Sequence, residues 1–304
     1  MNAPAGSNLP ADIVPGGAEL HPVLRALLYI VFWWIGTALL VELAAQFVGP
    51  LDRYHVTLDQ SANLFIAVAC ECAGAVGIAL LFRRFVDRMP VGTLGFTFRV
   101  RWLRLFGIGV LLGIGMQTLV LIFESALGFA RTATPRWQAG EFGSLAYLIP
   151  LLLLAALAEE MPIRGYLFQN LTQAWGAWPA LIVTSLFFAS LHLFNPGAHA
   201  DIAMTITGIA VAGALFCASV MLTGSLWLAL GCHFAWNLFE GPIFGFPVSG
   251  QSFGSANILT QSVTGPDWFT GGSFGPEAGA SSLIALAAGA AVLYALHRRG
   301  VFDA

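Results

Sequence analysis

Two adjacent carboxylates, Glu159 and Glu160, stand inside a long apolar run at 145–170, and Arg164 follows the second by four positions. An acid four residues N-terminal to a base is the favourable order for a helical ion pair. Glu160 is therefore expected to pair with Arg164. Glu159 lies about 100° away around the helix and points to a different face. Two further pairs share the spacing: Phe188 with His192 in SLFFASLHLF, and His233 with Asn237 in GCHFAWNLF. Each pair occupies one helix face.

An ionisable group at mid-membrane depth costs about 2.5–3.5 kcal/mol on insertion scales, so such groups mark partners or chemistry. A glutamate beside an imidazole can activate water, and His and Asn can donate to the oxyanion that forms on a peptide carbonyl. The same residue types allow a second chemistry. Glu159, His192 and His233 make up a two-His, one-Glu set of the kind that holds a catalytic zinc with one position open to water. Residue types alone leave the two open. A Cys232–His233 dyad is not expected, because adjacent helical residues point about 100° apart.

The elements that carry these residues read as membrane helices. Hydrophobic residues make up 58% of the 304-residue chain, charged residues only 10%, and the mean hydropathy is +0.79. Soluble domains carry about 25% charged residues, so the fold class is all-α, a polytopic membrane helical bundle in the cell (inner) membrane with the lipid bilayer as its main partner. Eight apolar runs approach the roughly 20 residues that a span needs, giving about eight transmembrane helices: 23–48, 61–82, 103–127, 145–170, 178–194, 201–221, 225–245 and 281–297. With ~1.5 Å of rise per residue, Glu159 lies ~16 Å deep, His192 ~21 Å, and His233 and Asn237 ~12 and ~18 Å. All fall in the central part of a ~30 Å core.

Arginine placement sets the orientation. Arg25, Arg83, Arg84, Arg88, Arg99, Arg101, Arg104, Arg298 and Arg299 fall on one side of an eight-span arrangement, against Arg53, Arg131 and Arg136 on the other. Both termini are therefore expected to be cytoplasmic. Residues 1–22 hold no basic n-region and read as a disordered cytoplasmic tail, followed by a membrane-embedded domain over 23–300. The aromatic and basic segment 90–104 reads as an interfacial segment or a plain positive-inside loop. The connection 246–280, rich in Gly, Ser, Pro and Phe, is expected outside the membrane as a cap or a flexible loop.

Further features are read as structural. Gly109 and Gly113, four apart, permit close helix approach. Pro162 removes one backbone hydrogen bond and crowds Ala158, predicting a kink beside the two glutamates. Glu42, Glu71 and Glu124 lie in or near spans; Glu71, close to mid-span, is expected to line the cavity or to bind a helix neighbour, with a structural role favoured. Cys70, Cys72, Cys217 and Cys232 all lie in apolar runs and read as small buried residues. The net charge of −3 gives no reason to expect a nucleic-acid partner.

E-E-x-x-x-R-G at 159–165, F-x-x-x-H at 188–192 and H-x-x-x-N at 233–237 together resemble the three motifs of the CPBP intramembrane metalloprotease family, which includes the type II CAAX prenyl endopeptidases and bacterial relatives. The resemblance covers roughly 145–250, and LGF at 94–96 is similar upstream. It implies an intramembrane endopeptidase that acts on a membrane-associated protein or peptide, with its site opening towards the cytoplasm. Carried over, Glu159 is the water-activating base and His192 assists it. His233 and Asn237 form the oxyanion hole, and Glu160 with Arg164 orients the site. A bound Zn2+ would fall to Glu159, His192 and His233. The alternatives from other classes are a proton-coupled transporter or relay and an inactive protease-like scaffold or immunity protein. No internal repeat of the kind that marks transporters is found in the sequence.

Overall fold

The computed structural model describes residues 19–48, 61–98, 101–133, 139–253 and 257–302. Most of the expected N-terminal tail, together with Arg53, Arg99 and Arg136, lies outside the described residues.

Helix α1 (Pro22–Val48) and helix α2 (Ser61–Leu81) pack as an antiparallel pair, and α2 ends in a π-helical turn at Phe82–Val86. Helix α3 (Trp102–Ala126) follows the Arg-rich connection. Helix α4 (Ala139–Glu160) runs through a seven-residue π-helical stretch, Met161–Leu167, into α5 (Phe168–Trp175). Helix α6 (Ala177–Leu191) ends in a 3-10 turn at His192–Phe194, and α7 (Ile202–Thr223) returns. Helix α8 (Trp227–Leu238) is continued by a π-helical turn at Phe239–Ile243. A short α9 (Asp267–Thr270) precedes α10 (Ala280–Arg298).

Among the described residues, seven helices are long and apolar enough to cross a membrane. The chain is thus a multi-pass, all-α membrane bundle. The expected span at 225–245 takes a different form. Its regular helix is only the 12 residues of α8, and the backbone widens into the π turn at Gly241 and Pro242. The large apolar side chains left exposed, such as Leu39, Leu111, Trp178 and Ile182, lie on the outward helix faces, as lipid requires.

Helix α8 is central because α3 lets it in. A Cβ on Gly109 would sit 2.2 Å from the Leu228 carbonyl oxygen, and one on Gly113 2.5 Å from that of Cys232. Only glycine permits this approach of two backbones. The spacing read from the sequence thus has a definite partner, the helix that carries His233 and Asn237.

The arginine-bearing end is tied by a buried ionic knot. Asp87 accepts from Arg25 at 2.9 Å and from Tyr166 at 3.0 Å, and lies 3.1 Å from Arg83. Arg83 also donates to Gln169 at 2.6 Å, and Arg25 to Gln173. Both arginines and the aspartate are buried. Arg101 donates to the Phe302 carbonyl, so the start of α1 and the end of α10 share this end of the bundle.

The opposite end carries the 246–280 connection, whose described part is ordered. Its strand β2 (Gln261–Val263) pairs antiparallel with β1 (Ala130–Thr132), which follows α3. A tight turn joins Val248 to Gln251.

Candidate active site

The three motif segments converge. Glu160 Oε1 accepts from Arg164 Nη1 at 3.0 Å and from His233 Nδ1 at 2.9 Å. A carboxylate only accepts, so Nδ1 of His233 carries the hydrogen and Nε2 is left facing Glu159 Oε2 at 3.7 Å. A continuous chain results: Arg164, Glu160, His233, Glu159. Glu160 and Arg164 are fully buried. The Arg164 guanidinium lies over the Phe188 ring at 4.3 Å and the Phe216 ring at 5.2 Å, a cation–π arrangement that replaces water around the charge. Gly213 opposite leaves it room, since a Cβ there would stand 3.0 Å from Arg164 Nη2. Phe216 also stacks on His233 at 5.1 Å.

Pro162, expected to kink the helix, falls within a π-helical stretch. With no N–H to donate, Pro162 falls at the start of the π-helical stretch, where the wider turn absorbs the lost bond. Such single widened turns recur at functional sites.

His192 sits at the end of α6, where the helix tightens into a 3-10 turn. Its Nδ1 lies 3.0 Å from the Phe188 carbonyl oxygen. A carbonyl only accepts, so the neutral ring keeps its lone pair on Nε2. The F-x-x-x-H spacing thus has a physical use: residue 188 fixes the tautomer of residue 192 through its backbone, and its ring lies against the imidazole with centroids 4.7 Å apart.

Glu159 is the accessible member, with its side chain 31% exposed. It faces a cavity of about 540 Å³, also lined by His192, His233 and Asn237. Asn237 Oδ1 is buried without a hydrogen-bond partner among the described residues. A second cavity of about 500 Å³, between α1 and α6, is lined by Trp33, Trp34, Thr37 and Glu71. Glu159 and His192 line both, so the two spaces meet at these residues.

The first cavity extends to Pro196 and Ser249–Phe253, at the end of the bundle opposite the arginine knot. The arginine rule puts this end outside, whereas the resemblance puts the opening towards the cytoplasm. Among the described residues, no three His, Cys, Asp or Glu side chains gather where they could hold a metal.

Residues 141–239 match the model of the family described as Rce1-like, type II CAAX prenyl endopeptidase Rce1-like. This segment is Rce1-like. All three motifs read as CPBP-like fall inside it, and the match supports a CAAX-type intramembrane protease in general terms. No curated protein and no solved structure matches the chain.

The Rce1-like segment also borrows residues that the motifs did not reveal. Glu277, just before α10, reaches the first cavity. Glu240 is buried on the far side and accepts from Gln117 at 3.0 Å. Glu124 accepts from Ser281 at 2.8 Å. A lone acid in GPEAG at 275–279 gives no periodic signal, and only its place before an apolar run could have drawn notice.

Proposed function

We propose that this chain is an intramembrane endopeptidase in which Glu159 activates the water that attacks a peptide carbonyl. The observation that carries the reading is the place of Glu159. It is the one accessible carboxylate in the Arg164–Glu160–His233–Glu159 chain, and it stands where two cavities meet.

Water held at this junction gives its proton to the Glu159 carboxylate. The lone pair on Nε2 of His192 accepts the second water hydrogen and aims the oxygen lone pair at the carbonyl. The Asn237 amide donates to the oxygen that becomes negative. His233 can donate from Nε2 only as imidazolium, since its Nδ1 hydrogen is committed to Glu160. In that form it completes the oxyanion site. Glu160 and Arg164 touch no substrate: they set the height and ring plane of His233. Glu159 then returns its proton to the leaving amine, which balances the hydrolysis.

The substrate is a membrane-associated protein or peptide that reaches Glu159 from the cavity. The similarity of residues 141–239 to the Rce1-like family is the support for including prenylated C-termini in that class. The test is cleavage of a membrane-tethered fluorogenic peptide by purified protein in liposomes. Glu159→Gln and His192→Ala are expected to lose at least about 100-fold in kcat, the scale of general-base catalysis. Turnover equal to wild type in both variants would remove the reading.

A further inference from the structure

We propose that Glu277 is a positioning residue whose two carboxylate oxygens couple the roof of the reaction chamber to the helix carrying His233 and Asn237. The inference rests on the protease reading above and extends it to residues outside the Rce1-like segment.

The roof is the turn Val248–Gln251. Its two central residues, Ser249 at φ 47° and Gly250 at φ 80°, both lie in the left-handed region. Gly250 is suited to it, and its N–H donates to the Phe274 carbonyl at 2.7 Å. Serine is disfavoured there by its Cβ. What holds Ser249 is Glu277: Oε2 accepts from the Ser249 backbone N–H at 2.7 Å and from its Oγ at 2.5 Å. The other oxygen, Oε1, accepts from Trp236 Nε1 at 3.1 Å. Trp236 lies three residues after His233 and immediately before Asn237.

The clamp is itself anchored. A Cβ on Gly208 of α7 would meet the Glu277 carbonyl oxygen at 1.8 Å, so the Glu277 backbone is seated directly against that helix. Glu277 is 8% exposed and lines the chamber with Ser249, Trp236, His233 and Asn237. One oxygen therefore serves the wall that bounds the substrate, and the other serves the helix that supplies the oxyanion donor.

This division of labour predicts separable effects. Ser249→Ala loosens only the roof and is expected to raise KM about threefold to tenfold with kcat nearly unchanged. Trp236→Phe frees only the helix and is expected to lower kcat by a similar factor with KM unchanged. Each loses one hydrogen bond. Glu277→Ala combines both effects, and Glu277→Gln, which keeps one acceptor oxygen, is milder. Hydrogen exchange on the purified full chain supplies a readout that needs no turnover. Amides of 248–253 are expected to exchange at least tenfold faster in Glu277→Ala and at the wild-type rate in Trp236→Phe. Unchanged roof exchange in Glu277→Ala overturns the proposal. So does a fall in thermal stability with kcat and KM per folded molecule unaltered. If wild type shows no Glu159-dependent cleavage, the protease reading fails, and roof exchange alone decides whether Glu277 is the clamp.

Discussion

Glu160 and His233, 73 positions apart in sequence, share a 2.9 Å hydrogen bond inside the membrane bundle, and the oxygen that accepts it also accepts from Arg164. The bond turns two separate motifs into one unit. It also distinguishes the two adjacent glutamates: Glu160 is spent on holding an imidazole, and Glu159 faces the chamber.

Removing Arg164 leaves Glu160 a buried charge with only an imidazole beside it. Arg164→Ala is expected to destabilise by about 3–5 kcal/mol, the usual cost of breaking a buried pair from one side. Glu160→Gln keeps the shape and an acceptor for His233. It is expected to stay folded while kcat falls at least tenfold and KM holds. Thermal unfolding in detergent, run beside steady-state cleavage, separates the two outcomes. An Arg164→Ala protein as stable as wild type contradicts the pairing.

Among the described residues, none of the knot's ionic side chains lines the chamber, so its effect is expected to be on stability alone. Asp87→Ala leaves Arg25 and Arg83 buried as like charges without their shared partner. A loss of about 3–5 kcal/mol is expected, with cleavage per folded molecule unchanged. Activity lost without stability lost would show that the knot reaches the site.

Close approach of α3 and α8 depends on bare backbone. Gly113→Val puts a Cβ 2.5 Å from the Cys232 carbonyl oxygen, so α8 must move and carry His233 with it. Overpacking of this kind costs about 1–3 kcal/mol, and activity is expected to fall with it. Gly115→Ala on the same helix meets nothing within 4 Å and serves as the tolerated control. Equal activity in both variants contradicts the tight α3–α8 contact.

Ser252 at the chamber end and Arg84 at the arginine end lie at opposite ends of the bundle. Positive-inside placement of the arginines puts Ser252 outside. In a background with the native cysteines replaced, Ser252→Cys is expected to react with an impermeant maleimide on intact cells. Arg84→Cys is expected to react only after permeabilisation. The reverse pattern restores a cytoplasmic chamber and overturns the arginine rule for this chain.

Much of this was legible in the sequence, and the residues show why the rest was not. Spacing of four put Glu160 with Arg164 and marked Gly109 and Gly113 as a contact face, because helical period fixes which residues share a side. Period cannot name the partner across a gap. Spacing therefore puts His233 at the oxyanion or in a metal set, and says nothing of its bond to Glu160. Arg25 and Arg83 count as cytoplasmic charges by the arginine rule, yet both are buried against Asp87, and a charge count cannot tell a solvated arginine from a paired one. Pro162 predicts a local break in the helical ladder, but spacing cannot say that the break takes the form of a π-helical stretch at Met161–Leu167. Glu277 had no signal, since a turn-rich connection has no periodicity from which a contact could be read.

The central claim is that Glu159 activates the water that cleaves a peptide bond, and isotope transfer tests it most directly. Cleavage in 18O-labelled water, analysed by mass spectrometry, is predicted to place one 18O atom in the new C-terminal carboxylate with wild-type protein. No labelled product is expected above background with Glu159→Gln. Labelled product formed by Glu159→Gln at the wild-type rate contradicts the account.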